Sequence, residues 1–377
     1  MTMVNRILSA FLSLLLPSIL FASPIPPAPK LNVKAYVLMD FDSKMILASS
    51  NEDLMLPPAS ITKMMTAYVA FTELKEKNIS MDEEILVSKK AWKTGGSKMF
   101  IEVGKKVKVR DILQGVITVS GNDASVALAE HISGDEKTFT TYMNQMAANL
   151  GLTNTNYSNS TGLPNDSLYT TAKDISLLSR ALISEFPKLY GLYSTKSFQF
   201  NEIKQYSRNK LLFIDDNVDG IKTGFTKAAG YCLASSAKRG SRRLIAVVMG
   251  APNPEVRIQA SRTLLEYGFR FFETHTLFKS TTTISKARVF QGQETEVEFG
   301  VTEDATVTIP RRQKKNLKYD YIIDRQLTAP IKKDQTIGFM HIKLKDKIIH
   351  TVKLTALKDV NQGSLYRRTL DSLLMDL

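Results

Sequence analysis

The chain has 377 residues, which is too long for one ordinary domain and predicts a large catalytic core with an accessory module. Its formal net charge of +13 is spread along the chain without an arginine-rich arm. This pattern argues against nucleic-acid binding and favours attraction to anionic lipid or cell-wall polymer. The single cysteine, Cys232, cannot form an internal disulfide, so the fold depends on its hydrophobic core.

The first residues have the pattern of a secretory signal peptide. One cation, Arg6, precedes the apolar segment 7–21, and two small residues follow that segment. The segment is shorter than a typical spanning helix and contains Pro17, so a retained N-terminal anchor is the alternative. We predict an exported protein with a signal peptide at 1–22 and cleavage after Ala22.

From residue 23 to residue 277, apolar strand-like segments are mixed with amphipathic helices. Segments 37–39 and 244–249 read as strands. Apolar residues recur at three- or four-residue spacing in four predicted helices: 111–119, 124–132, 139–150 and 172–183. The mixture predicts an α+β catalytic domain.

Three short motifs within this part of the chain carry its chemistry. They are Ser60-Ile61-Thr62-Lys63, Ser120-Gly121-Asn122 and Lys222-Thr223-Gly224. A Ser-x-x-Lys spacing at the start of a helix puts hydroxyl and amine one turn apart on the same face, within reach of a shared proton. The ordered trio is a signature of serine acyl-transfer enzymes. It indicates a nucleophilic serine that is activated by a lysine and not by a histidine.

Three other matches compete with these motifs. Ser207 and Ser235 also begin Ser-x-x-Lys, and Lys93 begins a second Lys-Thr-Gly. Only Ser60 follows two prolines and precedes an apolar helical run, as expected at a helix N-terminus. Ser207 lies in a polar stretch, Ser235 in a strand-like segment and Lys93 beside a Gly-Gly loop, so we interpret these three as structural.

Other chemistries lack the residues that they need. The four histidines lie outside the three motifs, which argues against a Ser-His-Asp triad. The sequence contains neither His-Glu-x-x-His nor paired cysteines, so neither a metal nor another cofactor is implied. Cys232 lies in an apolar strand-like segment and is interpreted as a buried small hydrophobe.

After residue 277 the composition changes. Alternating stretches at 295–299, 305–309 and 337–342 predict a small all-β domain, which we place at 278–358. In the last segment, 359–377, one helical face is apolar, with Tyr366, Leu370, Leu373, Leu374 and Leu377. Arg367, Arg368 and Asp371 lie elsewhere on the helix, so the segment is predicted to be an amphipathic helix at an anionic membrane surface. Docking on its own β domain, or a frayed tail, is the alternative.

The motifs and several longer phrases closely resemble the D-alanyl-D-alanine carboxypeptidases, the low-molecular-mass penicillin-binding proteins of the penicillin-binding protein 5/6 type. The phrases are 159–163, 219–226, 267–274 and 329–331, so the similarity covers nearly the whole chain. The resemblance implies a penicillin-recognising, β-lactamase/transpeptidase-like α+β domain followed by an all-β domain and a membrane-surface helix. It also implies a peripheral position on the outer, periplasmic face of the cytoplasmic membrane.

By this resemblance, Ser60 attacks the carbonyl between the two terminal D-alanines of a peptidoglycan stem pentapeptide. The free D-alanine leaves, and water then clears the acyl-enzyme; β-lactam antibiotics are covalent inhibitors. Lys63 acts as the base, with a pKa lowered by burial and by a nearby Lys222. Ser120 passes a proton to the leaving nitrogen, while the amide of Asn122 holds the substrate backbone or positions Lys63.

The resemblance also implies the substrate-binding residues. Lys222, Thr223 and Arg257 would bind the terminal carboxylate, and the backbone N–H groups of Ser60 and Phe225 would form the oxyanion hole. Gly224 would let the peptide approach as an added strand.

Two positions depart from related patterns, since Gly121 stands where class A β-lactamases have aspartate and Phe225 where some carboxypeptidases have histidine. Ser97, in a Gly-Gly-Ser loop, either contacts substrate or is a plain surface serine. A D,D-endopeptidase that cuts cross-links is the nearest alternative function. A β-lactamase is less consistent, because a Glu-x-x-Leu-Asn motif is missing. A noncatalytic wall-binding protein would not need the three intact motifs.

Overall fold

The computed structural model describes residues 26–324 and 326–375. The predicted signal peptide and its cleavage site lie outside the described residues. The strands are β1 Ala35–Asp40, β2 Ile46–Ser50, β3 Glu84–Leu86, β4 Lys106–Lys108, β5 Ser197–Phe200, β6 Ile203–Tyr206, β7 Val218–Thr226, β8 Gly230–Arg239, β9 Arg242–Ala251, β10 Phe272–Phe278, β11 Ser285–Arg288, β12 Glu296–Gly300, β13 Ala305–Pro310, β14 Leu317–Ile323, β15 Thr336–Leu344 and β16 Lys347–Ala356. The α-helices are α1 Lys63–Glu76, α2 Lys89–Lys93, α3 Val109–Gln114, α4 Asn122–Ser133, α5 Glu136–Asn149, α6 Ala172–Glu185, α7 Pro187–Tyr190, α8 Leu211–Ile214, α9 Pro254–Phe271 and α10 Leu365–Met375.

The catalytic part is built on a five-stranded antiparallel sheet with the order β2-β1-β9-β8-β7. The central strands β1, β8 and β9 are mostly buried on both faces, which explains their long apolar runs. Helix α9 packs on one face, and α6 and the buried helix α1 belong to the core on the other. β7 is an edge strand of this sheet, so its outer edge is left open for an added strand.

The helix predicted at 111–119 is not one regular α-helix. α3 ends at Gln114, and a π-helical turn, Gly115–Val119, continues the chain to Ser120. Ser120 has a left-handed backbone, with φ of 63° and ψ of 35°. A single π-turn is a frequent local distortion at functional sites, and its residue spacing cannot be read from apolar periodicity. The prediction that Ser120-Gly121-Asn122 falls between two helical segments agrees with the structure.

The C-terminal part is all-β, as predicted, and ends in the predicted helix. A five-stranded sheet with the order β11-β12-β16-β15-β14 encloses an apolar core that includes Phe299, Met340 and Leu354. A second, two-stranded sheet pairs β10 with β13. β10 begins at Phe272, before the predicted start of the β domain at residue 278. That domain boundary therefore stays a prediction.

Polar contacts join the two parts. The buried carboxylate of Asp40 accepts hydrogen bonds from Arg242 Nε at 3.0 Å and from Thr274 Oγ1 at 2.6 Å. Ser43 Oγ lies 2.6 Å from Thr308 Oγ1 on β13. These contacts connect β1 and β9 of the catalytic sheet to β10 and β13 of the β-rich part.

Helix α10 is attached to the β-rich part by its polar side. Asp371 is buried and accepts hydrogen bonds from the backbone N–H of Gln291 at 2.5 Å and from Arg367 Nε at 3.2 Å. The apolar side chains of α10 remain exposed, namely Leu365, Tyr366, Leu370, Leu373 and Leu374. Helix α10 is therefore docked on the β-rich part and still exposes its apolar face. Leu377 of the predicted face lies outside the described residues. Among the helices that the structure describes, none is long and apolar enough to cross a membrane.

Candidate active site

The predicted nucleophile and base lie side by side. Ser60 is in a short 3₁₀ turn, Ala59–Thr62, and α1 begins directly at Lys63. Ser60 is thus placed one turn before the α-helix proper, not within it. The Nζ of Lys63 is 3.3 Å from Ser60 Oγ, 2.6 Å from Asn122 Oδ1 and 2.6 Å from the backbone oxygen of Thr161. These contacts fix the amine beside the hydroxyl.

Glycine is required where the chain passes close to this turn. Gly162 has a φ of +84°, and a Cβ at this position would overlap the backbone oxygen of Ala59. On the other side, a Cβ on Gly224 would lie 2.9 Å from Pro58 O and 3.1 Å from Ser60 N. The serine is therefore held between two backbone segments that only glycine allows to approach so closely.

Lys63 is 1% exposed, and burial holds its pKa well below the usual lysine value. The nearby charge of Lys222 lowers the pKa further, while Asp123 acts in the opposite direction. The lowered pKa favours the neutral amine, which is the form that accepts a proton from Ser60.

Lys222 reaches the same centre from β7. Its Nζ donates to Ser120 Oγ at 3.0 Å and to the backbone oxygen of Thr223 at 3.1 Å. Burial lowers the pKa of Lys222 to about 7, with further contributions from the cations Arg208 and Arg257. The hydroxyl of Ser120 is thus in contact with the amine of Lys222.

Asn122, the first residue of α4, is held by protein contacts at both polar atoms of its amide. Its Oδ1 accepts from Lys63 at 2.6 Å, and its Nδ2 donates to the backbone oxygen of Gly95 at 2.7 Å. Its backbone N–H donates to Ser97 O at 2.7 Å. Of the two roles considered for this amide, the observed contacts correspond to the positioning of Lys63.

A buried carboxylate behind Asn122 holds the loop that carries Ser97. Asp123 is 1% exposed, and its oxygens accept the backbone N–H groups of Met99 at 2.8 Å, Phe100 at 2.9 Å and Ala124 at 2.9 Å. Sequence reasoning missed this residue, although its position directly after Ser-Gly-Asn was a usable signal.

These side chains meet in a cleft of about 310 Å³. It is lined by Ser60, Ser97, Ser120, Arg208, Thr223, Gly224, Phe225, Tyr231 and Arg257. Lys63 and Lys222 lie beneath its floor, through their contacts with Ser60 and Ser120. Arg208 and Tyr231 were not predicted. The only sequence signal for Arg208 was its place inside a rejected Ser-x-x-Lys match.

The cleft is cationic and has an aromatic wall. Phe225 is exposed and stacks on Tyr231 with ring centroids 4.2 Å apart, and the guanidinium of Arg257 lies 5.7 Å from the Tyr231 ring. Arg257 Nε is buried and has no hydrogen-bond partner among the described residues. With Arg208 nearby, this arrangement fits a bound carboxylate.

The rejected motif matches lie in structural settings. Ser235 is buried in β8, where its hydroxyl donates to the backbone oxygen of Ala246. Ser207 Oγ accepts from the backbone N–H of Asn209 in a loop, and Lys93 is an exposed residue at the end of α2. Among the described residues, no group of three or more potential metal ligands is found.

Comparison with known proteins finds a matching family model for each of the two parts of the chain. The family model described as D-alanyl-D-alanine carboxypeptidase matches residues 23–253, and the model of the penicillin-binding protein 5 C-terminal domain matches residues 272–362. The chain is 43% identical to the D-alanyl-D-alanine carboxypeptidase DacC of Escherichia coli, over 97% of this chain and 94% of that protein. It is 40% identical to DacA of Haemophilus influenzae, over 92% and 90% of the two chains.

Solved structures lead to the same class. Penicillin-binding protein 5 from Haemophilus influenzae matches with a TM-score of 0.86 and 40% identity, covering 90% of this chain and all of that one. Penicillin-binding protein D2 from Listeria monocytogenes, solved with ampicillin bound, matches with a TM-score of 0.60 and 31% identity over 65% of this chain and all of that one. Fold and site together define a penicillin-binding serine hydrolase. The chain belongs to the D-alanyl-D-alanine carboxypeptidase family, and the family resemblance seen in the sequence is confirmed.

Proposed function

We propose that the protein removes the terminal D-alanine from peptidoglycan stem pentapeptides through an acyl-enzyme on Ser60, and that β-lactams acylate the same hydroxyl. One observation carries this proposal, namely the buried amine of Lys63 at 3.3 Å from Ser60 Oγ. A lysine with a lowered pKa, beside a serine at the floor of a cationic cleft, supplies both the base and the nucleophile for acyl transfer.

In the acylation step, Ser60 Oγ forms a bond to the carbonyl carbon between the two D-alanines, and its proton passes to Lys63 Nζ. The N–H groups of Ser60 and Phe225 stabilise the oxyanion. The C–N bond then breaks, and the proton reaches the leaving amine through Ser120. In the second half, water attacks the ester with Lys63 again as base. The C–O bond to Ser60 breaks, and the proton returns to the serine oxygen.

Substrate orientation follows from the charges in the cleft. The terminal carboxylate of the peptide lies at the cationic end, with Lys222, Thr223 and Arg257. The peptide backbone extends along the open edge of β7. The expected role of Gly224 in admitting the peptide is not what its surroundings support, since the missing side chain makes room for the turn that carries Ser60.

A direct test mixes the mature protein separately with penicillin and with a pentapeptide that ends in D-Ala-D-Ala, and follows both reactions by mass spectrometry. We expect a single penicilloyl adduct per chain and one free D-alanine per pentapeptide. Release of monomers from cross-linked dimers, without D-alanine release from pentapeptide, would instead identify the endopeptidase.

Replacing Arg257 by alanine is expected to raise KM for peptides with a free C-terminal carboxylate by roughly tenfold or more, because a charge-assisted hydrogen bond is lost. Peptides with an amidated C-terminus should change much less. Arg262→Ala, at an exposed position on the same helix, is the matched control. Steady-state kinetics on both peptides measures these changes. An equal rise in KM for both peptides would show that Arg257 does not bind the terminal carboxylate.

We also propose that the exported protein works on the outer face of the cytoplasmic membrane, held there peripherally by α10. The exposed apolar side chains of this helix form one face, and the contacts of Asp371 leave that face free. Arg367 and Arg368 add attraction to anionic lipid, and the opposite charge of Asp371 offsets part of it. Binding is therefore mainly apolar.

A chain that ends at Gly363 is expected to stay in the supernatant when full-length mature protein sediments with anionic vesicles. Partial burial of several apolar side chains contributes a few kcal/mol, at about 25 cal/mol per Å². Activity on small peptides should persist, because the cleft lies in the first domain. A milder variant, Leu373→Glu, should weaken sedimentation without removing the helix. Full-length protein that fails to sediment contradicts the anchor.

A further inference from the structure

A surface rich in positive charge lies beside the catalytic cleft. It is formed by the hairpin β5–β6, the residues that follow it and the short helix α8. Its exposed cations are Lys196, Lys204, Arg208 and Lys210. We call these four cations, together with Tyr206 and Phe213, the basic-aromatic face. Because Arg208 also lines the cleft, the face and the cleft are continuous.

The two sides of the β5–β6 hairpin have different surroundings. On one side, Phe198 packs against the core of the catalytic part, and Gln205 Nε2 donates to the backbone oxygen of Lys98 at 3.1 Å. Successive residues of a strand point to opposite sides, so Lys204 and Tyr206 share the other side. Tyr206 is 57% exposed there. The hairpin is therefore attached to the catalytic part by one side and presents the other to solvent.

Aromatic rings support the lysines of this face. The Nζ of Lys204 lies 5.7 Å from the ring centroid of Tyr206. The ring of Phe213 lies 5.9 Å from the Nζ of Lys196 and 5.7 Å from that of Lys210. An aromatic ring packs against the methylenes of a lysine and attracts its ammonium group, but it does not neutralise the charge. The lysines are thus partly ordered and remain available to an anion.

Nearby carboxylates compensate only a small part of this charge. Asp216 lies 3.8 Å from Lys196, and Glu202 is exposed at the turn of the hairpin. Among the described residues, the other three cations of the face form no ion pair with a carboxylate. An anion that reaches the face can therefore pair with these cations without breaking an existing ion pair.

The continuity of the face with the cleft indicates which anion reaches it. The proposed substrate is a stem peptide, and polymerised wall carries many stems, each of which ends in a free carboxylate. When one stem occupies the cleft, the other stems of the same polymer are held at a high local concentration near Arg208. The membrane contact proposed above belongs to a different element, α10 of the β-rich part.

We propose that the basic-aromatic face is an accessory site for the carboxylates of neighbouring stem peptides, and that it makes polymerised peptidoglycan a better substrate than an isolated peptide. The inference rests on the proposed carboxypeptidase function. The cleft and the face bind parts of one polymer, so the second contact is intramolecular and increases the affinity. The chemical step at Ser60 is unchanged, and the gain is therefore in KM and not in kcat.

The test compares D-alanine release from two substrates. One is a soluble, uncross-linked glycan chain that carries pentapeptides, and the other is an acetylated tripeptide that ends in D-Ala-D-Ala and has one carboxylate, which occupies the cleft. In Lys204→Gln/Lys210→Gln we expect kcat/KM for the polymer to fall about fivefold through KM, the effect of two exposed ion pairs. The value for the tripeptide should change by less than about twofold. Added salt should weaken the preference of the wild type for the polymer more than that of the variant.

The matched control is Lys75→Gln/Lys137→Gln, which removes two exposed lysines from the same part of the protein. Lys75 lies in the last turn of α1, with its Nζ 5.5 Å from the ring of Phe186. Both double variants lose the same charge, so a general attraction between a cationic protein and an anionic polymer falls equally in the two. The control should keep the polymer preference of the wild type. Lys204→Arg/Lys210→Arg, which retains the charge, should keep it as well.

A binding measurement examines the face without turnover. Full-length protein that has been acylated with penicillin has its cleft occupied, and its sedimentation with insoluble peptidoglycan reports contacts outside the cleft. We expect the acylated wild type and the Lys75→Gln/Lys137→Gln control to bind alike. Acylated Lys204→Gln/Lys210→Gln should bind about fivefold more weakly.

The outcomes distinguish this inference from the proposed function. Equal losses on polymer and tripeptide, or equal losses in the two glutamine double variants, overturn the accessory site and leave the carboxypeptidase reaction intact. A face variant that loses affinity for anionic vesicles but keeps its affinity for peptidoglycan also overturns it, since the cations would then serve the membrane. Failure of the wild type to release D-alanine from either substrate overturns the proposed function and this inference with it.

Discussion

Replacing Ser60 by alanine is expected to abolish both the penicilloyl adduct and the release of D-alanine. Among the described residues, Ser60 supplies the only hydroxyl that is hydrogen-bonded to the amine of Lys63, at 3.3 Å, and the pKa of that amine is lowered. In serine hydrolases whose catalytic residues act as a unit, loss of the nucleophile lowers kcat by about 10⁴-fold or more. Intact-mass spectrometry after penicillin treatment, together with a D-alanine assay, measures both losses.

The matched control is Ser207→Ala, which removes a serine with the same Ser-x-x-Lys spacing whose hydroxyl contacts Asn209 and not the lysine amines of the site. This variant should still give one adduct per chain. Peptide mapping should locate the adduct on Ser60 in the wild type. Labelling of Ser60→Ala to the wild-type level, or an adduct mapped to Ser207 or Ser235, would remove Ser60 from its assigned role.

Replacing Lys63 by arginine should lower kcat/KM by about 10³-fold, within the range that a general base contributes. A guanidinium stays protonated and cannot accept the proton of Ser60. In the wild type, kcat/KM should fall as the pH drops below the lowered pKa of Lys63, because the amine then becomes protonated. The variant should lack this acid limb.

The control for this second variant is Lys93→Arg, at the exposed lysine of the other Lys-Thr-Gly triplet. Its pH profile and turnover should match those of the wild type. Circular dichroism would establish that Lys63→Arg still folds, since Lys63 is a buried residue. Near-normal turnover in folded Lys63→Arg would show that another group takes the proton.

Local patterns in the sequence predicted the parts of the site that are close along the chain. Ser60 and Lys63 are three residues apart, so a single helical turn is enough to bring hydroxyl and amine together. Ser120 and Asn122 were also predicted from a local pattern. The apolar periodicity ends at that point, which indicates a junction between helical segments. The family resemblance then joined these pieces to Lys222 and Arg257, which are far away in sequence.

Tertiary packing decided the rest. The lowered pKa of Lys63 requires burial by segments as distant as Thr161 and Lys222, and no local pattern specifies that burial. Arg208 and Tyr231 reach the cleft only because β7, β8 and the preceding loop surround it. Their residue types fit a loop and a strand as well as a site, so the sequence carried no distinct signal for them.

The C-terminal helix shows the same division in one element. The period of its apolar residues depends only on helix geometry, and the sequence alone was sufficient to place Tyr366 and Leu370 on one face. That Asp371 would be buried depends on a backbone N–H of Gln291, eighty residues earlier, that lies opposite it in the folded chain. Periodicity reports which side chains share a face, whereas a buried charge is stable only where a distant segment supplies its hydrogen bond, and that is decided by the tertiary structure.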